Sequence, residues 1–274
     1  MSDLPTPQVY LVGAGPGDPE LLTLRAAKLL QHADVVVYDN LVSDGVLALI
    51  SPTAERIFVG KRAGHHTLPQ EEINQVLVRL WQEAPRRIVR LKGGDPLIFG
   101  RGGEEAWALA AAGVPFEIVP GITAACGMAA SNALPLTHRG VAQACLFVTG
   151  HLQNGKLNLD WPALARPKQT VVFYMGVSTL PELCAQLIAH GRAPETPAAI
   201  IQAATTPQER RIVGSLATLP AIAKAAEVHP PALIVVGEVI RVAQGLEAMR
   251  PFASAAPKET NPSHTTQTAD KVSR

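Results

Sequence analysis

Val9-Tyr10-Leu11-Val12-Gly13-Ala14-Gly15-Pro16-Gly17-Asp18-Pro19 is the stretch that decides the fold. A short apolar run, Val9 to Val12, reads as a strand and stops at a glycine loop. Asp18 followed by Pro19 reads as a helix start, with aspartate as N-cap and proline at the first helical position. Leu22, Ala26, Leu29 and Leu30 then fall on one face at helical spacing. Strand, glycine loop and helix follow one another within two dozen residues.

The same alternation continues outward. Val35-Val36-Val37-Tyr38 is a second strand, ending at Asp39, and Ile57-Phe58-Val59 is a third, ending at Gly60-Lys61. Thr67-Leu68-Pro69-Gln70 has the spacing of a capping box and predicts a helix start, with Ile73, Val76, Leu77 and Leu80 on the buried face. Ile88-Val89-Arg90-Leu91 is a fourth strand, ending at Gly93-Gly94-Asp95-Pro96. A helix over about Glu104 to Ala112 stops at Gly113, a natural C-cap. Phe116 to Val119 is a fifth strand, ending at Pro120-Gly121. Strands alternating with helices imply a parallel sheet with right-handed crossovers. Every strand-to-helix loop then falls at one sheet edge. Gly13–Gly17, Asp39, Lys61, Gly93–Asp95 and Gly121–Thr123 gather there, and open α/β sheets bind ligands at that edge.

After the small-residue segment Thr123 to Ala133, a second apolar pattern begins. Its strands are expected at Leu146–Thr149, Thr170–Met175, Ala198–Gln202, Arg211–Val213 and Leu233–Val236, with helices near Thr179–His190 and Thr218–Glu227. The expected division is an N-terminal α/β domain over 8–122 and a C-terminal α/β domain over 123–250. Residues 253–274 are rich in Pro, Thr, Ser and Lys without apolar periodicity, and read as a disordered tail.

Composition limits the function classes. The chain has 274 residues, 47% of them hydrophobic, enough for a substantial core. Its net charge of +1 disfavours a protein whose main task is binding the nucleic-acid backbone. Cys126, Cys145 and Cys184 lie far apart without ligand-like spacing and read as reduced thiols of a cytoplasmic protein. Met1 to Pro7 is short and polar, so no secretory signal is visible. Apolar stretches are broken by Gly, Pro or charge before they reach membrane-spanning length. His65, His66, His138 and His151 show no metal-ligand spacing.

The loop at Gly13–Gly17 invites a dinucleotide-binding reading. That fingerprint would place its third glycine at position 18, which is Asp18, and Pro16 stiffens the loop. A plain tight turn also fits the glycines. Gly93-Gly94-Asp95 is sharper: two glycines let the backbone approach a ligand closely, and Asp95 can accept hydrogen bonds from a hydroxyl or an ammonium group. A plain turn with a capping aspartate fits it too.

Three segments carry a resemblance. Val12-Gly13-Ala14-Gly15-Pro16-Gly17-Asp18-Pro19 resembles the first motif of the tetrapyrrole methylase family. Val89-Arg90-Leu91-Lys92-Gly93-Gly94-Asp95-Pro96, with Phe99-Gly100-Arg101-Gly102-Gly103-Glu104-Glu105, resembles its second, and Pro120-Gly121-Ile122-Thr123-Ala124 its third. Further matches are Val37-Tyr38-Asp39, Val59-Gly60-Lys61-Arg62, Pro135-Leu136-Thr137-His138-Arg139 and Phe173-Tyr174-Met175-Gly176. Within the family the chain is similar to the members that methylate uroporphyrinogen III, over about residues 8 to 245. The resemblance implies a two-domain fold, with a mostly parallel N-terminal sheet and a mixed C-terminal sheet and the cofactor in the cleft between them, and a homodimer. It implies S-adenosylmethionine as methyl donor, no metal, and two successive C-methylations leading through precorrin-1 to precorrin-2. The first motif begins near Met1, which leaves no room for the dehydrogenase and chelatase module of the fused enzymes of siroheme synthesis. A stand-alone form is therefore expected.

The resemblance also assigns residues. Pro16, Gly93, Gly94, Asp95, Ile98, Thr123 and Ala124 contact S-adenosylmethionine, with Met175 and Ala204 from the second domain. Relatives often carry glycine in the loop where this chain has Ala203-Ala204. Asp39 and Lys61 are the proton acceptor and donor, though a surface ion pair or loop charge explains each equally well. Arg101 and Arg139 bind substrate carboxylates through their guanidinium forks, with Glu104 beside Arg101, and Arg101 also takes part in the proton step. Three alternatives stay open: a methylase of a later corrin intermediate, a nicotinamide oxidoreductase, and a module that sequesters a tetrapyrrole without turnover.

Overall fold

The computed structural model describes residues 6–60, 68–151 and 156–249. The first half runs β1 (Gln8–Gly13), a 3-10 turn (Pro19–Leu21), α1 (Leu24–His32), β2 (Val35–Tyr38), α2 (Asp44–Leu47), β3 (Glu55–Phe58), α3 (Gln70–Glu83), β4 (Arg87–Lys92), α4 (Gly102–Ala111) and β5 (Phe116–Val119). Helix α5 (Ala124–Ser131) leads into β6 (Ala144–Thr149), α6 (Trp161–Leu164), β7 (Gln169–Tyr174), α7 (Leu180–Ala189), β8 (Pro197–Gln202), β9 (Arg210–Ser215), α8 (Leu219–Ala225), β10 (Ala232–Val236) and α9 (Val239–Met249).

The first sheet has the order β3-β2-β4-β1-β5, and every neighbouring pair is parallel. Its central strands β1, β2 and β4 are buried on both faces because alternate side chains serve two cores. Tyr10, Val12, Val36 and Val89 pack with Ala26, Leu29 and Leu30 of α1. Val9, Leu11, Val35 and Ile88 pack with Ile73, Leu77 and Leu80 of α3 and Leu109 of α4. At the amino edge, Asp34 accepts from the Arg87 backbone N–H at 2.8 Å and from its Nε and Nη2 at 3.0 and 2.6 Å. These bonds hold the Asp34 carboxyl below its usual range.

The second sheet has the order β6-β7-β10-β8-β9. β6 and β7 are parallel, and the other pairs are antiparallel. Fold class and strand positions agree with the sequence expectations to within a few residues.

Two helix starts differ. The Asp18-Pro19 pair begins only a 3-10 turn, in which Asp18 accepts from the Glu20 N–H at 2.9 Å. The backbone turns extended at Leu22 and Thr23, and Thr23 caps α1 by accepting from the Ala26 N–H. The capping-box reading rests on Thr67, outside the described residues; with Pro69 at the cap, helix α3 starts at Gln70. The Gln70 amide reaches Asn74 Oδ1 at 2.9 Å. Thr67, Lys61, His65, His66 and the 253–274 tail lie outside the described residues. Among the described residues no helix is long and apolar enough to cross a membrane.

Candidate active site at the carboxyl edge of the parallel sheet

Main chain forms the floor of the site. Gly13 ends β1, Gly94 follows β4 and Gly121 follows β5, and the three lie backbone to backbone. A Cβ on Gly13 would stand 2.5 Å from Gly121 N and 2.6 Å from Gly94 O. A Cβ on Gly121 would stand 2.8 Å from Gly13 Cα. The β1 and β4 loops are cross-linked by Gly94 N–H donating to Gly15 O at 2.7 Å and Gly15 N–H donating to Gly94 O at 3.1 Å. Gly15 and Gly94 have φ of +72° and +69°, where a side chain would be strained. Asp95 joins the β4 and β5 loops: Oδ1 accepts from Leu97 N–H at 2.8 Å and Oδ2 from Gly121 N–H at 3.0 Å. Asp95 thus shapes the floor through backbone amides, and its remaining lone pairs are what it can offer a ligand.

The second sheet supplies the opposite wall. Tyr174 ends β7 and stacks obliquely on Phe99 of the β4–α4 loop, with ring centroids 4.7 Å apart. Met175 follows with φ +55° and is half exposed. Thr123 and Ala124 open α5, where Gly94 faces Ala124 N across 3.5 Å of Cβ space. Pro16 packs on Gly127 of α5, where a Cβ would come within 2.7 Å of Pro16 Cβ. Asp18 N–H donates to Thr205 Oγ1 at 3.2 Å, which ties the first glycine loop to the β8–β9 loop. Ala203 in that loop has φ +49°, a conformation that glycine adopts without strain. The Ala204 carbonyl lies 3.5 Å from the Cβ position of Gly17. Ile98 and Leu97 are exposed beside Phe99 on the β4–α4 loop.

A chain of buried charge runs beneath the floor. Glu105 of α4 is fully buried, and its Oε1 accepts from Lys92 Nζ at 2.8 Å, Arg90 Nε at 3.0 Å and Gln70 Nε2 at 3.2 Å. Its Oε2 has no hydrogen-bond partner among the described residues. Arg90 continues through Nη2 to Asp39 Oδ2 at 2.9 Å, while Asp39 Oδ1 accepts from Leu41 N–H at 3.1 Å. The Asp39 side chain is a quarter exposed, whereas those of Arg90, Lys92 and Glu105 are buried. Burial, and then the charge of Arg90, pushes the Lys92 ammonium down, against the opposing pull of Glu105.

Arg101 begins α4 with φ +56°. Its Nε and Nη2 donate to Glu104 Oε1 and Oε2 at 2.8 and 2.7 Å, which raises the Arg101 guanidinium and lowers the Glu104 carboxyl from their usual ranges. Arg139 lies exposed beside Gly140, next to the His138–Ala142 bridge. Among the described residues no group of three or more His, Cys, Asp or Glu side chains is placed to hold a metal ion.

Sequence reasoning named Asp39 and Arg101 but missed Arg90, Lys92, Glu105 and Tyr174. A signal for the first three exists. Arg90 and Lys92 stand two apart in a strand with both faces buried, so both charges enter one core and require an internal carboxylate.

A five-stranded parallel sheet with a glycine floor at its carboxyl edge, beside a second, mixed five-stranded sheet, defines a two-sheet α/β protein, and open α/β sheets bind ligands at that edge. The family described as Tetrapyrrole (Corrin/Porphyrin) Methylases matches residues 8–220, and the chain belongs to it. It is 56% identical over 244 residues to siroheme synthase of Thioalkalivibrio sulfidiphilus, covering 89% of this chain and 50% of that protein. It is 57% identical over 244 residues to siroheme synthase of Nitrosospira multiformis, covering 89% and 52%. The chain thus spans about half the length of these curated relatives. Among solved structures it resembles a uroporphyrin-III C-methyltransferase from Thermus thermophilus complexed with S-adenosylhomocysteine. That match has 47% identity and a TM-score of 0.74, covering 86% of this chain and 99% of the other. A cobalt precorrin-4 methyltransferase superposes with a TM-score of 0.75 at 29% identity, covering 85% of this chain and 95% of the other.

Proposed function

We propose that this chain methylates uroporphyrinogen III twice on ring carbons, with S-adenosylmethionine as donor, giving precorrin-2 and two S-adenosylhomocysteines. The observation that carries the reading is the convergence of the Gly93-Gly94-Asp95 and Thr123-Ala124 loops, with Met175 on the facing wall. The bare main chain at Gly93-Gly94 and the spare lone pairs of Asp95 suit an extended donor that has both hydroxyl and ammonium groups. The Thermus relative was crystallised with the demethylated donor, which supports the choice of donor. The reading takes 8–122 and 123–250 as the two domains and a homodimer in the cytoplasm as the working state.

Bound S-adenosylmethionine supplies a methyl group on a positively charged sulfur. The nucleophile is a pyrrole carbon of the reduced macrocycle, electron-rich like an enamine. A carbon–carbon bond forms as the carbon–sulfur bond breaks, and the macrocycle then loses a proton. The chain's task is to align carbon, methyl and sulfur and to exclude water. Pro16, Ile98, Met175 and Ala204 line the donor's apolar parts in this reading. Asp39 receives the proton, with its carboxylate fixed by Arg90 and Leu41 N–H, and Lys61 is the donor partner. Arg101 and Arg139 hold the substrate's rim carboxylates. Glu104 occupies the Nε–Nη2 edge of Arg101 and leaves Nη1 for the substrate.

The test is incubation of the purified chain with labelled S-adenosylmethionine and freshly made uroporphyrinogen III, followed by mass analysis. The expected result is a macrocycle carrying two new carbon-bound methyl groups. A macrocycle that gains none while the donor is bound would leave a sequestering module instead.

A further inference from the structure

Beyond the residues that face the ligands, the structure assigns Tyr174 a positioning role: its buried hydroxyl sets the direction in which Thr123 presents its own proton to the donor. Tyr174 is 8% exposed, and its Oη meets one group of the third motif and one of the residue that follows it. Ala125 N–H donates to it at 3.0 Å, and Thr123 Oγ1 lies 2.7 Å away. A backbone amide can only donate, so Tyr174 Oη is the acceptor in the first contact. Among the described residues the phenol proton has one acceptor in reach, Thr123 Oγ1. With that lone pair taken, the Thr123 hydroxyl directs its hydrogen away from Tyr174.

Thr123 Cα lies 3.8 Å from where a Cβ on Gly94 would stand, so Thr123 borders the glycine floor. The same phenol does the capping that Thr123 does not do, since α5 has no side-chain cap bond of its own. Thr123 is thereby held as a hydrogen-bond donor toward an acceptor atom of S-adenosylmethionine, a carboxylate oxygen or a ring nitrogen. The inference rests on the reading that the donor occupies this cleft.

Calorimetric binding of S-adenosylhomocysteine separates the two claims. Measurable binding by the unmodified chain is required first; without it, the cleft reading itself fails. Tyr174→Phe keeps the ring against Phe99 and removes only the hydroxyl. It is expected to weaken binding about threefold to tenfold, with the KM for uroporphyrinogen III unchanged. Thr123→Val is expected to give the same loss, and the double variant no further loss, because both substitutions break one directed bond. Thr123→Ser restores the hydroxyl and is expected to bind normally; this arm carries the test if Tyr174→Phe does not fold. Unchanged affinity in Tyr174→Phe, additive losses in the double variant, or a Thr123→Ser variant as weak as Thr123→Val would overturn the inference while leaving the cleft reading intact.

Discussion

Glu105→Ala is expected to lower the free energy of unfolding by about 3–5 kcal/mol, the cost of breaking a buried ion pair by removing one partner. The reason is convergence. Arg90, Lys92 and Gln70 all donate to Oε1 of a carboxylate that is fully buried, so removing it strands Lys92 in the core and leaves Arg90 only its pair with Asp39. Glu105→Gln retains an acceptor without the charge and should lose less. Replacing Arg90, Lys92 and Glu105 together by apolar residues of similar volume should recover much of the loss, since such swaps are often neutral. Urea unfolding of the three variants checks this. A Glu105→Ala loss near zero would mean that solvent enters the network and that the buried-charge account is wrong.

The second large effect concerns turnover. Asp39→Asn is expected to lower kcat by about 10²–10⁴-fold, the usual range for a proton-transfer group, with S-adenosylhomocysteine affinity unchanged. Asparagine can still accept from Leu41 N–H, so the turn after β2 should survive, and a melting curve serves as control. Single-turnover methyl transfer to uroporphyrinogen III is the measurement. Wild-type rates in a folded Asp39→Asn protein would place the proton acceptor elsewhere, with Arg101 the next to examine.

The parallel sheet was legible in the sequence for a physical reason. Its central strands β1, β2 and β4 are buried on both faces, so they appear as apolar runs, and each strand of the sheet ends at or shortly before a glycine, an aspartate or a proline. The carboxyl edge followed from topology alone, and Gly13, Asp39, Gly94 and Gly121 are found there. The second sheet was less legible. Its strands stood out, but β10 lies between β7 and β8, an order that depends on packing rather than on local pattern. Helix starts misled because capping motifs describe an isolated helix. Leu22 and Thr23 are extended here, and the chain uses Thr23 in place of Asp18. The charge chain stayed hidden because its members come from β4, α3, α4 and the end of β2, between 13 and 51 positions apart for the bonds to Glu105 and Asp39. Tyr174 was overlooked beside Met175 because its partners, Thr123 and Ala125, lie about fifty positions earlier.

The glycine contact among Gly13, Gly94 and Gly121 has a consequence for descent. A surface made of main chain has no side chain to exchange: a substitution at Gly13 or Gly121 must push peptide groups apart, and one at Gly94 is strained by its positive φ. Drift is blocked at the bottom of the cleft. Leu41, Leu97 and Phe99 around its mouth are exposed and can be traded one at a time. Lineages built on this plan are therefore expected to retain the methyl donor while changing the molecule that receives the methyl. New specificities should be sought by randomising the mouth and leaving the three glycines untouched.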